Sequence, residues 1–343
     1  MPAATKHELL KLIDRAMTDG WDHRRACAYL QLGETRAWRW RERRAAGTLE
    51  DRKPGLALHA ITPAEEAAIV RVFEEHGLTD RSHRKLAHRG SYEGVVWVSE
   101  STVRRVLAAH GLRVRAPRRA GRSERSPFPE WAAYTKHSIW IYDTTRFARC
   151  RATYVVMIMD LVTRKWICEL VSAEETGLQI QLAFTLALER EGVLDAVDEH
   201  QRRLADPTVD DPARPVLLAV SDNGPQMTSG STREFLAMCA IAQHFGRPGT
   251  PTDQAWIESL FSHIKADWPH LDRITEPAVL RAELASVRDE YNSKRLHAGI
   301  GYVTPDDEHE GRGPAIRQAR RIGLRRARRL RIAHNRAQRQ EPT

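Results

Sequence analysis

Cysteine is scarce in this chain, with four in 343 residues at Cys27, Cys150, Cys168 and Cys239 and no Cys-x-x-Cys pair among them. That spacing indicates neither a zinc site nor a disulfide framework, so the four are expected to be reduced core thiols. Long apolar runs are missing too. No stretch approaches the roughly 20 residues that a membrane-spanning helix needs. The opening Met1-Pro2-Ala3-Ala4-Thr5-Lys6-His7-Glu8 lacks the apolar region of a signal peptide. Both absences predict a soluble, cytoplasmic protein. Acid is in deficit: 45 Asp and Glu face 54 Lys and Arg, a formal charge of +9 with a pI near 9.6. Such an excess favours polyanionic partners, nucleic acid first, although general solubility is the plainer reading, and position along the chain must separate the two.

What is present begins with helices. Leu9, Leu10, Ile13 and Met17 recur at three- and four-residue spacing, Gly20 punctuates, and a second short helix is expected from about Asp22 to Leu30. After Leu32-Gly33 the run from Glu34 to Arg44 carries Arg36, Arg39 and Arg41 beside Trp38 and Trp40. Helix, glycine turn and arginine-rich helix is the pattern of a helix-turn-helix whose second helix enters the major groove; a solvated basic helix packed through its tryptophans is the alternative. A second unit follows Lys53-Pro54-Gly55. Thr62-Pro63-Ala64-Glu65-Glu66 is a helix start with cap, proline and acids in place. Further helices are expected near Ser82–His88 and, capped by Ser99, through Arg104 and Arg105 to Leu107. From Arg113 the chain turns to arginine with Pro, Gly and Ser, including Arg118 and Arg119, with no apolar period. This reads as a linker, lying along phosphates or simply solvated.

The core begins near Tyr134. Ser138 to Thr144, Thr153 to Asp160 and Trp166 to Val171 read as three strands of an antiparallel meander, with Asp143 near the end of the first. A helix from about Thr176 to Glu191 follows, with Leu178, Leu182, Leu186 and Ala187 on one side. After a polar insertion from Leu194 to Pro215, the apolar run Val216 to Val220 breaks into Ser221-Asp222-Asn223-Gly224-Pro225, a buried strand closed by a tight turn. Thr252 to Phe261 then reads as a helix start carrying Glu258, with thirty-five residues between it and Asp222. Strands and helices in this order form an α/β layer architecture. Its three carboxylates, Asp143, Asp222 and Glu258, suffice to hold divalent ions for phosphodiester chemistry. Asp160 competes for a place among them and is read instead as a turn or cap residue.

Four blocks in order carry a specific resemblance. Trp140-Ile141-Tyr142-Asp143-Thr144-Thr145, Ser221-Asp222-Asn223-Gly224-Pro225-Gln226, Ala255 to Lys265, and Tyr291-Asn292 through Thr304-Pro305 resemble the catalytic core of insertion-sequence DDE transposases. These belong to the retroviral-integrase-like superfamily, whose core has the ribonuclease H fold. The resemblance covers about 131–305, and the tandem helix-turn-helix front end is similar to that of such transposases. It implies that Asp143, Asp222 and Glu258 are the catalytic triad and hold two Mg²⁺ or Mn²⁺ ions. It further implies binding of double-stranded DNA at inverted-repeat ends and at a target, cleavage and strand transfer, and a dimer or larger homo-oligomer on DNA in the bacterial nucleoid. The alternatives are a transposase-derived regulator without activity and a ribonuclease H-type nuclease.

The whole chain is then expected to be multidomain: all-α modules at 1–52 and 58–113, a basic linker at 114–133, an α/β ribonuclease H-like core at 134–310, and an arginine-rich, helical tail at 311–343. Lys265 falls on the same helical face as Glu258 and either holds the DNA end or makes a surface salt bridge. Asn223, Gln226 and Gln254 are candidates to steer nucleic acid or water. Arg295 and His297 either contact phosphates or complement a helix C-terminus. The Leu194–Pro215 insertion is a candidate lid or subunit contact.

Overall fold

The computed structural model describes residues 1–51, 57–114, 128–150, 153–206, 208, 214–246 and 255–340. Gln254 and the linker arginines Arg118 and Arg119 lie outside them. The chain divides into two compact units, 1–60 with 331–343, and 61–330.

In the smaller unit α1 (Ala3–Thr18), α2 (His23–Tyr29) and α3 (Glu34–Ala45) pack around Leu10, Ile13, Ala26, Cys27, Ala37 and Trp40. The Asp22 side chain caps α2 by accepting from the Arg25 amide at 2.8 Å, and Gly20 turns the chain at a φ of +87°. Lys6 is buried, yet its ammonium reaches Asp51 at 2.5 Å and the Leu49 carbonyl at 3.2 Å. A buried charge is tolerated on those terms.

The larger unit opens with α4 (Pro63–His76), α5 (His83–Tyr92) and α6 (Glu100–Ala109). Thr62 and Glu65 form a full capping box on α4, while Ser82 and Ser99 cap the other two. Such caps stabilise by about 1 kcal/mol each. Ile69, Val72, Leu86, Val103, Val106 and Leu107 fill the space between the three helices. A Cβ on Gly90 would stand 2.8 Å from a Val96 methyl, so α5 and the following turn can close only over glycine.

The sheet follows: β1 (Ile139–Thr145), β2 (Tyr154–Asp160), β3 (Trp166–Ser172), then α7 (Gly177–Arg190), α8 (Leu194–Ala205), β4 (Leu217–Ser221), α9 (Pro225–Thr228), α10 (Gly230–Met238) and β5 (Ile241–Phe245). Its order is β3-β2-β1-β4-β5, antiparallel across β1 to β3 and parallel from β1 to β4 to β5. Helices α11 (Ala255–Asp267) and α12 (Pro277–Lys294) complete it. Alternate residues feed two cores. Ile139, Ile141, Leu218 and Val220 face α11 and α12, while Trp140, Tyr142, Leu217 and Ala219 face α7, α8 and α10. Burial on both faces explains why β1, β2 and β4 read as near-continuous apolar runs.

The structure adds two elements to those expected and corrects the buried face of one helix. The Leu194–Pro215 insertion begins as helix α8, whose Val197 enters the core, and a fifth strand, β5, was not foreseen. On α7 the leucines at 178, 182 and 186 are exposed, and Ile180, Ala183, Phe184, Ala187 and Leu188 face the sheet. Asp160, in contrast, is the turn residue expected. Fully buried, it accepts from the amides of Val162 and Thr163 at 2.8 and 2.9 Å and of His137 at 2.8 Å.

Two polar networks hold the C-terminal segments to the sheet. Glu169 on β3 receives Arg288 of α12 at 2.7 and 2.8 Å, and the Asn292 amide bonds both the N–H and the C=O of Trp166. The short helix α13 (Pro305–His309) is pinned by His309, which meets Thr163 at 3.0 Å and Glu191 at 2.7 Å. Although burial works the other way, the hydrogen bonds of His309 and Lys165 hold the Glu191 carboxyl down to about 2. The arginine-rich tail is helix α14 (Gly313–Gln340). Its Arg320 is buried, donating to the carbonyls of Gly301 and Tyr302, and Asn335 donates to those of Leu58 and Ala60.

Candidate active site

The site is set by sheet register. In the parallel pair, Ile139, Trp140 and Ile141 of β1 stand beside Leu218, Ala219 and Val220 of β4. Asp143 lies two residues beyond the last residue of β1 paired with β4, and Asp222 is the first residue after β4, so both come near the carboxyl ends of neighbouring parallel strands. A ligand site is expected at such an edge of an α/β sheet.

Each aspartate is fixed by its own turn. An Asp143 oxygen accepts from the Thr144 amide at 2.7 Å, and an Asp222 oxygen accepts from the Gly224 amide at 2.9 Å. Gly224 has no room to spare: a Cβ there would lie 3.0 Å from Asp222 Oδ1 and 2.9 Å from the Gln226 amide. Asn223 donates to the Gly246 carbonyl at 2.8 Å, and the Gly246 amide donates to the Ser221 carbonyl. Asn223 thus ties the loop after β4 to the end of β5.

Glu258 lies exposed in the first turn of α11, a helix seated on the sheet by Ile257, Leu260 and Ile264. Two turns on, the Lys265 ammonium reaches Thr145 Oγ1 at 3.0 Å, at the end of β1, and stands 5.5 Å from the centre of the Phe147 ring. The helix is therefore anchored at the strand end that carries Asp143.

Electrostatics report the same convergence. Burial raises the Asp143 carboxyl to about 7, and the charges of Asp222, Glu258 and Glu175 push it the same way, against the Thr144 amide. A carboxyl crowded by three others in a partly desolvated corner stores repulsion that a cation would relieve. The donors are all carboxylate oxygens, which suits a hard divalent ion.

Glu175 is a carboxylate that motif reading missed. It precedes α7 and lies 3.6 Å from Arg146, three residues after Asp143, and 3.4 Å from Gln226, four after Asp222. Nothing in its flanks, Ala173-Glu174-Glu175-Thr176, separates it from an ordinary helix-start acid.

Other expected contacts fall elsewhere. Arg295 is 11% exposed and pairs with Asp267. His297 accepts from the Gly299 amide at 3.3 Å, and its ring is held neutral by burial and by Arg164, Arg295, His263 and Lys85. On the helical modules Arg36, Arg39, Arg104 and Arg105 are exposed, as is Trp38, while Trp40 is buried. Arg41 is tied to Asp14 at 2.7 Å.

Two family models described as Integrase core domain match this chain, over residues 133–251 and 239–305, so that together they span about half of it. The chain belongs to the integrase core family. It is similar to the transposase for insertion sequence element IS904 of Lactococcus lactis, 28% identical over 95 residues, which are 27% of this chain and 38% of that protein. It is also 28% identical over 87 residues to an uncharacterized 31.7 kDa protein of insertion element IS407 from Burkholderia multivorans, covering 25% and 31% of the two chains. The chain thus spans about a third of the length of the curated relatives it matches. Among solved structures, the BIV integrase catalytic core domain aligns at 20% identity and a TM-score of 0.35, over 52% of this chain and 97% of that one. A simian T-cell lymphotropic virus intasome in complex with a PP2A regulatory subunit aligns at 15% and 0.38, over 69% and 74%. Likenesses of that size carry no argument of their own. Among the described residues no helix is long and apolar enough to cross a membrane.

Proposed function

We propose that this protein is a polynucleotidyl transferase that binds the inverted-repeat ends of an insertion sequence and catalyses strand cleavage and transfer at Asp143, Asp222 and Glu258. The observation that carries this reading is the raised carboxyl of Asp143, produced by burial and by the charges of Asp222 after β4, Glu258 on α11 and Glu175 before α7. That arrangement suits cation-assisted phosphodiester chemistry far better than a fold-stabilising role. Asp143, Asp222 and Glu258 would hold Mg²⁺ or Mn²⁺. Metal ions held there supply charge stabilisation for both the attacking and the leaving oxygen of an in-line displacement.

The chain's own residues supply the frame. Rigid strand ends fix two carboxylates, α11 brings the third, and Lys265 offers its ammonium to a DNA phosphate beside Thr145. In the first step a water oxygen bonds to the phosphorus at the element end, the P–O3′ bond breaks, and the departing oxygen takes a proton to become a 3′-hydroxyl. That hydroxyl then bonds to a target phosphorus and expels a target 3′-oxygen, so phosphodiesters are conserved. DNA is engaged through exposed Arg36, Trp38 and Arg39 on α3 and Arg104 and Arg105 on α6, each the third helix of its module. Arg41 serves the fold of its module instead. We further propose a dimer or larger assembly on DNA, since two ends must be joined, and a place in the bacterial cytoplasm.

The test is a strand-transfer assay with duplexes bearing the terminal repeats of the flanking DNA. The wild-type chain should nick and join them in Mg²⁺ while Asp222→Ala does neither. Near-wild-type joining by that variant would sink the assignment. Hydrolysis of RNA–DNA hybrids without joining would favour a nuclease instead.

A further inference from the structure

Helix α11 leads from the acidic strand ends to a second charged place. Ser82 and Lys85 at the start of α5, His263 and Asp267 on α11, and Arg295 and His297 after α12 line a cavity of about 270 Å³. Its charges do not balance. Asp267 is taken by Arg295. Asp80, 3.7 Å from Lys85, is taken at 2.8 Å by Arg89. Burial lowers Lys85 to about 8, with Arg295 adding and Asp80 and Asp267 opposing, and lowers His263 to about 4, with Arg295 and Lys85 adding and Asp267 opposing. A fold gains nothing by crowding cations round an empty space, and crowding of this kind marks a place where an anion is received.

The cavity also continues. His297 lines a second one, again about 270 Å³, whose wall includes Trp256, Ser259 and Leu260 of α11. The two hollows lie along one side of α11, that of Trp256, Ser259, Leu260 and His263, and a row of hollows along a helix fits a chain of phosphates better than a single free one.

We propose that the cleft between α5, α11 and the segment after α12 binds a backbone phosphate of the DNA, with Lys85 and the exposed Arg81 at its rim as the principal cations. This rests on DNA as the substrate, not on the identity of the catalytic acids. Lys85 is a positioning residue: it holds the strand on α11, whose first turn carries Glu258.

The experiment measures binding of the full-length chain to duplex DNA in EDTA across a salt series, for wild type, Lys85→Gln, and Lys85→Gln with Arg81→Gln. Each neutralised phosphate contact should reduce the slope of log affinity against log salt by about one. Affinity should fall about 5- to 20-fold in the double variant. Because a crowded charge has been removed, its thermal midpoint should hold or rise, an outcome that a merely structural role for Lys85 would not give. A folded double variant with unchanged slope overturns the cleft while leaving the DNA reading intact. A wild-type chain that binds no duplex sinks the DNA reading and the cleft together. In a second arm inorganic phosphate is titrated while the ring signals of His263 and His297 are followed by NMR. A saturable response there, with the DNA slope unchanged, would give the cleft to free phosphate and overturn the claim.

Discussion

The two charged regions that share α11 are opposites in sign and in construction. At the acidic end, Asp143 stands on β1 and Asp222 is the first residue after β4, the parallel neighbour of β1, so the sheet brings their backbones close. At the basic end, Lys85, His263 and Arg295 come from three segments, and only tertiary packing brings them together. The first is held close to the backbone of the sheet, and the second depends on how the α4–α6 module sits on the core within the larger unit. A site that must place reacting atoms benefits from the first kind of support. One that must grip a polymer tolerates the second.

The sharpest way to break this contrast is to neutralise the acids one at a time. Asp143→Asn, Asp222→Asn and Glu258→Gln should each lower strand cleavage on the order of 10³-fold, the scale of losing several kcal/mol of charge stabilisation, with unchanged DNA affinity in EDTA. If Glu258→Gln kept activity while the aspartate variants lost it, the site would rest on the strands alone, and the part assigned to α11 would fall.

A next test reads stability. The folded Asp143 carboxyl sits at about 7 against an ordinary 3.8, so the folded state binds its proton more tightly than the unfolded chain does. That contribution is complete below about pH 4 and is lost as pH rises through 7. In metal-free buffer at pH 8, Asp143→Asn should therefore be more stable than wild type, by about 1 to 3 kcal/mol. Added Mg²⁺ should raise the wild-type midpoint and leave that of the variant nearly unmoved. A metal-free wild type that does not weaken between pH 5 and 8 would show that the acids are not crowded.

These expectations also mark what could be read without coordinates. Asp143 and Asp222 end apolar runs, and Glu258 opens an amphipathic helix, so each has a local signal. The basic cleft has none. Lys85, His263 and Arg295 look like surface residues in their own flanks, and the sequence around Arg295, which suits either a phosphate contact or a helix C-terminus, does not show its pairing with Asp267. The α7 leucines mislead for a related reason: Ile180, Ala183, Phe184 and Ala187 make an equally good helical stripe, and periodicity cannot say which stripe meets the sheet. Strand β5, Ile241-Ala242-Gln243-His244-Phe245, carries two polar residues and extends the sheet by pairing with β4, which no pattern within it announces. Glu175 was missed because proximity to Asp143 is a property of the fold.

Glu175 offers a finer probe of the acidic end. Held between Arg146 and Gln226, it contributes charge without standing on either central strand. Glu175→Gln should weaken Mg²⁺ affinity about 10-fold by calorimetry, the low end for residues that support a metal site without binding the ion. Asp143→Asn should abolish the binding heat. Equal losses in the two variants would promote Glu175 to a full ligand, and no loss would confine it to its pair with Arg146.

The smallest effect is expected at Lys265, a cation at the acidic end. Its ammonium is held by Thr145 Oγ1 and lies over the Phe147 ring, so it is placed by β1 as the aspartates are. Lys265→Gln should raise the KM for the DNA end about 2- to 5-fold with kcat little changed, as for the loss of binding felt equally in ground and transition states. Lys85→Gln should instead act on duplex binding and its salt slope. A Lys265 variant that lost kcat and kept KM would mean that this lysine acts on the reacting phosphate itself, and the division between a catalytic end and a gripping end of α11 would have to be redrawn.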